Sequence, residues 1–158
     1  MTAHTATRAG DTMTDKTRTF ARHIPTVARV LLGLGFFASG VFGLLAVLGV
    51  VAMPQPPTPP PENTAAFMGG MMKSGYLFPL IKITETVVGV LLLSNRFVPL
   101  ALTIIAPVIV NILAFHAFLA PSGIVPGLVL CALEIYLAWA YRDAFRPMLA
   151  PRAKASTP

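Results

Sequence analysis

Lys82 and Glu85 stand three residues apart in a stretch otherwise built largely of Leu, Ile and Val, and Glu134 stands alone in a second such stretch. A charge at the middle of a membrane-spanning helix costs about 2.5–3.5 kcal/mol on insertion scales, so each of these residues marks a position with a polar task. At their spacing, Lys82 and Glu85 project from one helix face and can pair. Buried carboxylates can also take up and release protons, which makes Glu85 and Glu134 the candidate catalytic groups. Asn111 and His116 lie on a third apolar stretch and add an amide that both donates and accepts and a ring that can titrate or ligate. With Lys82 they form the candidate ligand-binding set. A purely architectural use of the same residues is the competing reading: the pair neutralises one helix face, Asn111 bonds a neighbouring helix, and a protonated Glu134 donates to a backbone carbonyl.

The elements that must position these residues follow from composition. Of the 158 residues, 55% are hydrophobic and 11% charged, with a mean hydropathy of +0.73, a balance foreign to a water-soluble domain of this size. Four apolar runs, at 27–52, 75–94, 97–119 and 124–141, each approach the ~20 residues needed to cross a ~30 Å hydrocarbon core. The expected fold is all-α, an integral membrane antiparallel four-helix bundle spanning 26–147. Residues 1–25 read as a disordered basic tail and 148–158 as a short second tail. The first run is too long for a signal h-region of ~7–15 residues and is retained as a span. Arg29, near its start, can carry its head group to the interface while its stem stays in lipid.

Prolines 54, 56, 57, 59, 60 and 61 forbid helix and predict an extended arm after the first span, followed by a short interfacial helix over 65–74 broken at Gly69 and Gly70. The connections at 94–96 and 120–123 are short enough to make consecutive spans antiparallel. Arg8, Lys16, Arg18 and Arg22 precede the first span and Arg29 lies at its start, Arg96 separates the second from the third, and Arg142, Arg146, Arg152 and Lys154 follow the fourth. Only Lys73 falls on the opposite side, so both termini are expected in the cytoplasm and the proline arm outside. With that threading, Glu85 and Glu134 each lie on the order of 15 Å below the outer edge, with Lys82 and Asn111 slightly shallower. The expectation is one cluster of Lys82, Glu85, Asn111 and Glu134, with His116 above it as a gate or ligand.

Several classes are set aside. The net charge of +6 sits in tails and one connection rather than on a folded face, so nucleic acid is not an expected partner; the lipid bilayer is. A single cysteine, Cys131, rules out an internal disulfide, a redox pair and a cysteine-based zinc site within one chain. Glycine-rich phosphate loops, catalytic triads, zinc spacings and paired haem histidines are all missing, so no metal site is assigned. Gly35, Ser39 and Gly43 form a stripe of small residues suited to close helix approach, either inside the bundle or between copies in a homo-oligomer.

Taken together, Ser74-Gly-Tyr-Leu-Phe-Pro-Leu-Ile-Lys-Ile-Thr-Glu85, Gly89-Val-Leu-Leu-Leu, Arg96-Phe-Val-Pro-Leu, Asn111-Ile-Leu-Ala-Phe-His116 and Tyr141-Arg-Asp-Ala-Phe-Arg-Pro resemble the DoxX family of small bacterial four-helix membrane proteins over residues 29–147. The pattern departs after Gly40, where many relatives carry a basic residue and this chain has Phe42-Gly43. The resemblance implies a bacterial plasma-membrane protein that works as a non-autonomous subunit of a redox or quinone-linked complex, with quinone as the associated cofactor and other subunits as partners. A module that binds or transports a small polar or anionic solute, with Lys82 as anchor, and a structural scaffold are the alternatives. No cofactor-binding residue carries over from the family.

Overall fold

The computed structural model of the chain describes the backbone of residues 4–54 and 58–151 and, within them, the side chains from His23 onward. The described residues form helices and turns without a strand: α1 (His4–Val47), α2 (Glu62–Lys73), α3 (Leu77–Leu93), α4 (Val98–Phe118), α5 (Ile124–Ala140) and the single turn α6 (Arg142–Phe145). His23–Val47, Val98–Phe118 and Pro121–Ala140 are long and apolar enough to cross a membrane, and α2 with α3 makes a fourth candidate if that bent pair is one span. Such lengths and compositions suit a membrane protein.

α1 begins well before the expected first span, running helical from His4 through Pro25 where the sequence suggests an unstructured tail. Adding residues to an already nucleated helix fixes little extra backbone for each hydrogen bond gained. Side chains before His23, and the end of the second tail at 152–158, fall outside the described residues. The proline segment after α1 carries no helix at its described positions, and Pro61 at φ −50°, ψ 149° holds the extended geometry that ends it.

α2 departs from expectation in its break point. It passes unbroken through Gly69 and Gly70 and stops at Lys73, with α3 leaving at 82°. The corner is made by Gly75, whose φ of +73° is open to glycine without steric cost. Ser74 closes it, its Oγ donating to the Met71 carbonyl at 2.7 Å and accepting the Leu77 N–H at 3.1 Å.

The long helices pack in a cycle, α1 on α3, α3 on α4, α4 on α5 and α5 on α1. Leu32, Val88, Leu92, Ile105, Ile109 and Leu137 are fully buried where they meet. The α1–α3 approach is the tightest. A Cβ at Gly40 would stand 2.6 Å from the Thr86 nitrogen and 2.8 Å from the Lys82 carbonyl, and one at Gly89 would stand 2.6 Å from the Phe37 nitrogen. Gly40 and Gly43 therefore serve contact within the chain, while Gly35 turns toward Leu130 of α5. At the far end of the same pair, Arg29 does not extend to the interface. It is 7% exposed, and its Nη1 donates to the carbonyls of Leu92 and, at 3.5 Å, Leu93. The last carbonyls of α3 lack partners inside their own helix and carry its negative dipole end, so a buried guanidinium suits them better than lipid.

Candidate functional site

The ion pair expected from spacing is present on α3, with Lys82 Nζ 2.9 Å from Glu85 Oε2. Glu85 is 3% exposed, so the pair lies inside the helix assembly rather than on its rim. Lys82 Nζ also donates to Ser39 Oγ of α1 at 3.1 Å and stands 5.4 Å from the centre of the Phe78 ring. An ammonium has three N–H donors, so one is left after Glu85 and Ser39 are served. Gly43 makes room for the lysine stem, since a Cβ there would stand 2.6 Å from Lys82 Cγ.

Beside the pair lies a cavity of about 440 Å³. Its α3 wall is Leu77, Phe78, Ile81, Lys82 and Glu85. Its α4 wall is Pro107, Val108, Asn111, Ile112, Phe115 and His116, and Phe67, Met68 and Met71 of α2 cover it. Two contacts hold that cover down. Thr64 Oγ1 donates to the Leu119 carbonyl at 2.7 Å, and the Phe67 and Phe115 rings meet at 5.5 Å between centres.

His116 sits under the cover with Nδ1 3.0 Å from the Ala120 carbonyl. A carbonyl only accepts, so Nδ1 carries a proton and donates in this contact. Gly123 gives the ring its space, because a Cβ there would overlap it. Asn111 lines the cavity yet is exposed, and among the described residues its amide makes no hydrogen bond.

Four of the five residues singled out by sequence, Lys82, Glu85, Asn111 and His116, therefore share one cavity. Glu134 does not join them. It is half-buried on α5, which packs on α1 and α4 and stands across from α3, and among the described residues it has neither a hydrogen bond nor an ion pair. The expectation that grouped Glu134 with Glu85 rested on depth along the helices, which does not say on which side of the assembly each helix stands. The contribution of α2 went unforeseen, although Phe67 and Met71 recur at the four-residue spacing that puts both on one helix face.

The chain matches no protein-family model, no curated protein and no solved structure.

Proposed function

We propose that this protein is a DoxX-like, non-autonomous subunit of a quinone-linked membrane redox system, and that the cavity between α3 and α4 holds the quinone head. In this reading the long helices form an antiparallel four-helix bundle in a bacterial plasma membrane, with both termini in the cytoplasm and α2 on the outer face. One observation carries the proposal: an apolar, aromatic-walled cavity of about 440 Å³ ends on a buried Lys–Glu pair. Quinone reduction brings protons together with electrons into an apolar site, and a carboxylate beside an ammonium can pass them. Glu85 is the group assigned that task, Lys82 polarises the head through its remaining N–H, and the electrons come from a partner protein. Glu134 has no part in this site.

The pair also argues against the solute-binding alternative. An anionic solute would need an uncommitted cation, whereas Lys82 is neutralised by Glu85, so the cavity base suits an uncharged head with accepting oxygens. The test is chemical. The chain purified in mild detergent is extracted and its lipids are identified by mass spectrometry, beside the Lys82→Met/Glu85→Gln variant. Quinone in stoichiometric amount with the unmodified chain and its loss from the variant is the expected result. Equal traces in both would remove the basis for the proposal.

A further inference from the structure

The walls of the cavity belong to α3, α4 and α2, and among the described residues none of α1 or α5 lines it. A void on the central axis of the helix cycle would touch α1 and α5 as well, so this one lies in the cleft between α3 and α4. From above it is covered by α2, pinned through Thr64 and Phe67. Of its lining on α3 and α4, Pro107 and Asn111 are the exposed members, so the cleft opens laterally on their side. Asn111 lies about 10 Å below the α2-side end of α4, a depth at which a side chain outside the helix assembly meets hydrocarbon. An amide with no hydrogen bond there is costly unless something polar reaches it. Other exposed residues of these two helices, among them Val110, Ile104 and Leu80, are apolar and would face lipid chains.

Building on the quinone reading, we infer that the cavity takes its occupant sideways from the leaflet beneath α2, so that the ligand is lipid-tailed. Its uncharged head rests on the Lys82–Glu85 pair, its tail leaves between α3 and α4, and Asn111 holds the head at the threshold. The amide can donate to a carbonyl oxygen and accept from a hydroxyl, so Asn111 serves both redox forms of such a head without a charge of its own. A head entering from water would instead have to displace α2.

The experiment uses the full chain in phospholipid nanodiscs with a single fluorescent reporter in the cavity wall, Phe115→Trp in a Trp139→Phe background. Met71→Trp is the second reporter, in case the first perturbs folding as judged by helical circular dichroism. Two quenchers are compared at equal mole fraction in the bilayer: a benzoquinone with a ten-carbon tail and the same head without a tail. Saturable quenching at least tenfold tighter for the tailed compound, weakened about tenfold by Asn111→Leu, is expected. If the tail-less head binds as tightly and Asn111→Leu changes nothing, lateral entry is wrong and the quinone reading stands. Saturation by neither compound sinks both. Phospholipids brominated in mid-chain supply the last arm: should they quench the reporter without being displaced by the tailed quinone, the cleft is a lipid seat and the inference is overturned.

Discussion

Lys82 and Glu85 depend on each other in a way that substitution can expose. Replacing Lys82 by Met leaves Glu85, at 3% exposure, as an uncompensated buried charge, a change that typically costs about 3–5 kcal/mol. Lys82→Met/Glu85→Gln is expected to recover most of that loss in SDS-titration unfolding from mild detergent; a double variant no more stable than the worse single one would show that the pair is not coupled. Glu134 has the opposite expectation. With neither a hydrogen bond nor an ion pair among the described residues, it gives the isolated chain nothing that Leu would take away, so Glu134→Leu should unfold at the same or a higher SDS fraction. A loss above about 1 kcal/mol would reveal a structural bond formed by this carboxylate. At this scale sequence reads well where the signal is local. The Lys82–Glu85 pair follows from helical spacing alone, but the same spacing places Glu134 on a face without saying which helix that face meets. Arg29 escapes such reading altogether, because its acceptors are backbone carbonyls and every residue carries one.

Among the elements, α1 and α3 owe their close approach to particular glycines. Gly40→Ala would push a methyl against the Thr86 nitrogen and the Lys82 carbonyl, backbone atoms that cannot swing aside, and is expected to cost about 1–3 kcal/mol as an overpacked contact. Gly69→Ala on α2 meets nothing within 4 Å and should stabilise its helix by up to about 1 kcal/mol. Equal SDS midpoints for the two variants would contradict this difference. Thr64→Val removes the hydroxyl that ties α2 to the Leu119 carbonyl. Faster amide exchange over 62–73, with α3 and α4 unchanged, is the expected signature in hydrogen–deuterium exchange. The existence of α3, α4 and α5 was legible from predominantly apolar runs near span length, and the proline arm from its missing donors. The path of α2 was not, since Gly69 and Gly70 weaken a helix without forbidding it, whereas the actual corner at Gly75 depends on a positive φ that its composition does not announce.

For the whole molecule, the distribution of Lys and Arg predicts one threading through the bilayer. Single cysteines at Thr58 and Asn95, placed in a Cys131→Ala background and treated with an impermeant thiol reagent in intact cells, should label at Thr58 only; labelling at Asn95 alone would invert the topology. The same threading gives the Arg29 clamp a meaning in time. Its acceptor, the Leu92 carbonyl, lies 63 residues further along the chain, so α1 is synthesised and offered to the membrane long before the end of α3 exists. Until then the guanidinium has only water and lipid headgroups to bond, which would hold that end of α1 at the membrane surface. Once α3 has been threaded and its last carbonyls arrive, Arg29 exchanges those partners for protein ones and α1 can settle into register. Assembly of this chain would thus have an order: a chain stalled before residue 92 leaves Arg29 without its protein acceptors, and completion of α3 supplies them.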